Sequence, residues 1–118
     1  MSRKDPVQKR VYALHAKLCK TLAHPKRLEI INLLRDGERS VTELVQLSRI
    51  SQTSISQHLA TLRENSVVTA RRDGKNTYYM IASPKITQAC EIIREALFEH
   101  LAKETQVAKI VLQRRHQA

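Results

Sequence analysis

The sequence predicts a mainly α fold with one small β-hairpin, in the order helix, helix, helix, helix, hairpin, helix. Three observations carry that prediction. Apolar residues recur at helical spacing towards both ends of the chain, two short capped helices lie between, and a β-rich run follows them. With one Phe, three Tyr and no Trp, the core must come from Leu, Ile, Val and Ala, which suits helices. A length of 118 residues is enough for a single core and not for two. Internal repeats, low-complexity stretches and Gly/Ser linkers are absent, so one domain spanning 1–118 is expected.

Pro6 opens the first helix, and Val11, Leu14, Leu18 and Leu22 recur along it. A second first-turn proline, Pro25, starts the next helix, whose period runs through Leu28, Ile31 and Leu34 or Arg35 until Asp36-Gly37 stops it. Ser40 with Glu43 three residues on is a capping box, opening the short helix SVTELVQL. After a tight turn at about Leu47 to Ile50, Ser51 caps SQTSISQHLATLREN, which Asn65 is expected to end. The pattern then changes. Val67 to Arg72 and Thr77 to Ile81 are β-rich, and Asp73-Gly74-Lys75-Asn76 between them is a hairpin signal, giving a wing over about 67–81. Helical period returns after Pro84 through Ile86, Cys90, Ile93, Leu97 and Leu101. It continues, or resumes after a break near Thr105, through Val107, Ile110 and Val111.

Two short helices joined by a tight turn make residues 40–63 a helix-turn-helix. In its second helix Ile55, Leu59 and Leu62 share the inward face. The outward side carries Gln52, Thr53, Ser54, Ser56, Gln57 and Thr61. Hydroxyls and amides of this kind suit a DNA major groove, where Gln pairs with adenine edges and Ser or Thr reach bases or phosphates. The same residues are poor interior helix formers, so propensity does not explain them. An ordinary solvated face would show Glu and Lys instead. His58, one residue on, turns towards the protein. Around the hairpin tip, Arg71, Arg72, Lys75 and Asn76 supply cations and an amide that a wing can lay along the phosphate backbone.

Charge agrees with an anionic partner. Lys and Arg number 21 against 11 Asp and Glu, a net +10, which points to nucleic acid or a membrane surface. Other classes find little support. No apolar stretch approaches the roughly 20 residues of a membrane span, and MSRKDPVQKR is not followed by the apolar region of a secretory signal. A phosphate loop, a nucleophile elbow and a paired acid cluster are all missing, and His24, His100 and His116 have no evident catalytic partners, so neither an enzyme nor a cofactor is expected. RNA binding lacks the aromatic platforms that single strands prefer. A non-specific architectural binder remains open, although a polar, Lys-poor groove helix argues for base readout. Two separated cysteines, Cys19 and Cys90, form no disulfide scaffold and fit a reducing cytoplasm.

Taken together, LCKTLAHPKRLEIINLL, SVTELVQLSRISQTSISQHLATLRENSVV and RRDGKNTYYMI resemble the ArsR/SmtB family of winged-helix repressors, across roughly residues 14–101. The resemblance implies a winged helix-turn-helix homodimer held by the first and last helices, with two recognition helices entering successive major grooves of an inverted-repeat operator. It implies repression of transcription until an inducer arrives. By position, Gln52, Thr53, Ser56 and Gln57 face the groove, and Arg71, Arg72 and Lys75 lie on the wing. The family's metal sites are not intact here. Glu43-Leu44-Val45-Gln46-Leu47 lacks the Cys-x-Cys of the arsenite type, and Ser83-Pro84-Lys85 replaces the acid and His that open the zinc type's last helix. Glu99 and His100 sit near that type's other half-site, yet such an exposed pair is commonly plain surface. No metal site is therefore expected.

The sensing candidates are Cys19 and Cys90, on the two helices expected to set the dimer. They are either small buried hydrophobes, or a thiol pair answering an oxidant or persulfide, or a soft-metal or arsenite site with His15. The family's persulfide-sensing subgroup would place its second-helix cysteine at Asn32, so this pair is not a residue-for-residue match.

Overall fold

The computed structural model describes residues 5–104 and 106–117, with side chains for 5–104 and 110–115. The chain divides into two compact units, Met1–Pro84 and Lys85–Ala118. In the first, α1 spans Pro6–Leu22 and α2 spans Pro25–Leu33. Both start as their prolines predict. Asp5 Oδ1 accepts from the Val7 amide at 3.0 Å, and His24 Nδ1 accepts from the Lys26 amide at 3.2 Å. Each cap satisfies one of the donors that a helix start leaves without a partner. α2 stops earlier than the Asp36-Gly37 signal suggests, and Leu34 already belongs to the turn that follows it. Gly37 closes that turn at φ +145°, a conformation that disfavours any side chain.

Next comes an element the hairpin pattern did not announce, the two-residue strand β1, Arg39–Ser40. It leads directly into α3, Val41–Ser48, whose Ser40–Glu43 capping box forms in both directions. Arg49 turns left-handed at φ 62° and ends α3. Ser48 stabilises the turn, donating to the Leu44 carbonyl and accepting from the Ile50 amide. α4 then runs Gln52–Glu64, capped by Ser51 and ended at Asn65 as expected.

The wing strands are β2, Val68–Asp73, and β3, Asn76–Ile81. Asp73 pairs with Asn76, so the loop shortens to Gly74 and Lys75 instead of the four residues expected. Gly74 takes φ +62°, which a two-residue hairpin turn demands of a glycine placed first. All three strands form one antiparallel sheet in the order β1-β3-β2. The expected two-stranded hairpin is therefore three-stranded, because a polar pair too short to alternate carries no strand signal.

The first unit's core is aliphatic. Ile30, Ile31 and Leu34 from the α2 region, Leu44 and Ile50 around the turn, Ile55, Leu59 and Leu62 from α4, and Val67 and Val68 at the wing root are buried. On α1, by contrast, only Thr21 is buried, while Val7, Val11, Tyr12 and Leu14 are exposed. In the second unit α5 spans Pro84–Glu104 and α6 spans Gln106–Gln117. α5 buries Thr87 and Cys90 and exposes Ile92, Ile93, Leu97, Phe98 and Leu101. The Arg115 guanidinium lies 5.4 Å from the Phe98 ring centre, which sets the end of α6 beside the middle of α5. Thr105, where a break is expected, and the Val107 side chain lie outside the described residues. Among the described residues no helix is long and apolar enough to cross a membrane.

Candidate nucleic-acid interface

α4 separates its faces sharply. Ile55, Leu59 and Leu62 are 0% exposed, whereas Gln52, Thr53, Ser56 and Gln57 are all exposed along one side. Ser54 and Thr61, also expected to face outward, are only half-exposed. The Thr61 hydroxyl donates to the Gln57 carbonyl at 3.2 Å, so it serves its own helix. Of the six residues expected to face outward, the fully exposed ones are thus two amides and two hydroxyls in the first half of α4. That half is also where amide N–H groups and the helix dipole favour a phosphate. Arg49, exposed in the turn just before this end, adds a cation that apolar periodicity could not single out.

His58 faces inward, as the helical wheel predicts. Its Nδ1 accepts from Arg27 Nε at 3.2 Å, and its ring lies 4.6 Å from that of His24. Arg27 also donates to the Thr21 carbonyl. Burial, then the neighbouring His24, Arg27 and Lys26 charges, push the His58 pKa below its ordinary value. The Arg27 bond needs a neutral imidazole with a free Nδ1 lone pair. His58 therefore ties α4 to α2 in its uncharged form.

The four wing residues are not equivalent. Lys75 and Asn76 are exposed at the tip, and Arg72 is exposed with one long bond from Nε to the Gly74 carbonyl, 3.4 Å. Arg71 is engaged within the protein. Its Nε donates to Glu38 Oε2 at 2.8 Å, and its Nη2 donates to Glu38 Oε1. The Arg71 hydrogen bond holds the Glu38 carboxyl below the usual carboxylate range. No pattern in the sequence marks this pair, since 33 residues separate the partners.

Both cysteines are free thiols, Cys19 exposed and Cys90 buried. His100 pairs with Glu104 one turn on, at 3.2 Å, on an exposed surface. Among the described residues no group of three or more His, Cys, Asp or Glu is placed to hold a metal ion.

A sequence profile described as "Bacterial regulatory protein, arsR family" matches residues 24–70, from the α2 cap to the middle of β2. An HTH-type transcriptional regulator of Mycobacterium tuberculosis is 40% identical over 98 residues, covering 82% of this chain and 86% of its own. A biofilm growth-associated repressor of Xylella fastidiosa is 42% identical over 88 residues, 75% of each chain. Among solved structures, a homodimeric winged helix-turn-helix DNA-binding domain from Mycobacterium bovis superposes with a TM-score of 0.75. It is 29% identical, with 87% of this chain and 95% of that one covered.

Proposed function

Because the chain belongs to the arsR family of bacterial regulatory proteins, and so is a DNA-binding transcriptional regulator, we propose that it acts as a homodimeric repressor reading an inverted repeat. The observation that carries this is the divided α4: three aliphatic side chains fully buried behind Gln52, Thr53, Ser56 and Gln57. Gln57 and Ser56 read base edges, and Arg72, Lys75 and Asn76 place the wing on the backbone. The whole chain works as one cytoplasmic winged helix-turn-helix domain whose terminal helices hold the dimer. A relative named as a repressor supports the sign of regulation.

Footprinting on genomic fragments tests this directly. The protein protects an imperfect inverted repeat with half-sites ~34 Å apart. Gln57→Ala weakens that site by about 1–3 kcal/mol while sparing random DNA. Arg72→Ala weakens both and lowers the salt slope by about one unit. Equal affinity for every sequence would mean an architectural binder instead.

The signal, in this reading, is thiol-reactive and enters at Cys19 and Cys90. Exposure of Cys19 supports it, since a reagent meets that thiol without unfolding. An oxidant taking two electrons and two protons would join the two sulfurs and shift the helices that set the spacing of the reading heads. Diamide or persulfide lowers operator affinity tenfold or more, Cys19→Ser and Cys90→Ser abolish the response, and dithiothreitol restores the wild type. Arsenite sensitivity without diamide sensitivity would make the pair a metalloid site, and no response to any reagent would leave buried Cys90 as packing, exposed Cys19 as surface, and the signal entering elsewhere.

A further inference from the structure

We infer that Arg71 is a positioning residue, which fixes the wing by clamping Glu38 across the sheet, and that the phosphate contacts fall to Arg72 and Lys75. The inference deepens the DNA-binding reading above and rests on it for its functional consequence.

The strand register places the parts. Arg71 on β2 pairs with Tyr78 on β3, and Tyr78 pairs with Ser40 on β1, so one row crosses all three strands. Glu38 precedes Ser40 by two residues, the spacing that returns a side chain to the same face. From there its carboxylate meets the Arg71 fork with both oxygens. The guanidinium carbon sits 4.8 Å from the centre of the Tyr78 ring beneath it. Nη1, the remaining nitrogen, faces Asp73 at 3.8 Å. The Nε/Nη2 edge and one face of the guanidinium are thus occupied by this chain's own groups, and Asp73 lies within ion-pair distance of Nη1. A phosphate would have to compete with Glu38 for that fork.

Arg72, one residue along, points to the opposite face of the strand, as the pleat requires. Its single long bond and the exposed Lys75 leave these two as the cations presented at the tip. The clamp joins the wing to the segment that runs through β1 into the capping box of α3. It therefore links the hairpin's angle to the helix-turn-helix itself.

The alternative is that Arg71 leaves Glu38 for a phosphate when DNA arrives, and the two schemes predict opposite signs. If Arg71 positions, Glu38→Gln weakens operator binding by about two- to fivefold, the scale of an exposed ion pair, with the salt slope unchanged. Arg71→Lys does the same, because lysine keeps the charge and loses the fork. The double exchange Glu38→Arg with Arg71→Glu restores affinity. If Arg71 anchors, Glu38→Gln tightens binding by freeing it, and Arg71→Lys stays near wild type; either result overturns the inference. Hydrogen exchange of the hairpin amides, residues 68–81, in the DNA-free protein gives a readout independent of any operator. Faster exchange in Glu38→Gln and Arg71→Lys, reversed in the double exchange, supports the clamp, and unchanged exchange in both overturns it. Should wild-type protein bind no operator, the functional reading fails while the exchange measurement still decides the clamp.

Discussion

Leu59→Ala is expected to lower the free energy of unfolding by about 2–5 kcal/mol, far more than an alanine substitution on the exposed side of α4. Leu59 is 0% exposed and lies between Ile55 and Leu62, also fully buried, on the inward side of the helix. Ile30, Ile31 and Leu44 are likewise fully buried in this small unit, so few other side chains are available to refill the space. Removing three carbons there loses both their transfer free energy and the contacts around the resulting cavity. Urea unfolding at fixed protomer concentration measures it, the fixed concentration being needed because a dimer's stability depends on it. Gln57→Ala, two positions earlier and exposed, should change stability by no more than about 0.5 kcal/mol. A loss below about 1 kcal/mol in Leu59→Ala would mean that α4 is not seated on the core as described.

This contrast between neighbouring positions was legible in the sequence, and the reason is local physics. A helix buries one face, so Ile55, Leu59 and Leu62 at spacings of four and three assign the inside, and everything else on α4 follows. The caps Ser40 with Glu43, and Ser51, are equally local: each serine bonds an amide three residues on. Features that depend on distant partners or on side-chain choice escaped. Strand β1 is two polar residues long, and its pairing partners Tyr79 and Tyr78 lie about 40 positions away in a strand it cannot anticipate. The bond from Arg71 to Glu38 spans 33 residues and leaves no local trace beside the wing's other cations. Thr61 shares the outward side of the wheel, yet its hydroxyl bonds the carbonyl one turn back, an option that residue type permits but spacing does not reveal. Periodicity assigns faces well. It says little about partners chosen across a sheet.

The second large effect concerns the apolar surface that α5 leaves uncovered. Ile93, Leu97 and Leu101 recur every fourth residue, and Leu97 is 54% exposed. Such a stripe, unburied within its own chain, is the kind of face that a second copy covers. Each aliphatic side chain so covered is worth about 1.5–3 kcal/mol. Leu97→Glu places a charge in that stripe, and burying an unpaired carboxylate is far more costly than losing a leucine contact. The variant is therefore expected to sediment as a monomer at concentrations where the wild type is a dimer. A monomer holds one half-site at a time and loses the second contact's intramolecular advantage, so operator affinity falls by about 10²-fold or more. Affinity for an isolated half-site should change little, because α4 and the wing, all within Met1–Pro84, are untouched. Circular dichroism and the unfolding midpoint of the monomer separate this outcome from simple misfolding. A Leu97→Glu protein that stays dimeric and binds the full operator as wild type does would place the dimer contact elsewhere than on this stripe of α5.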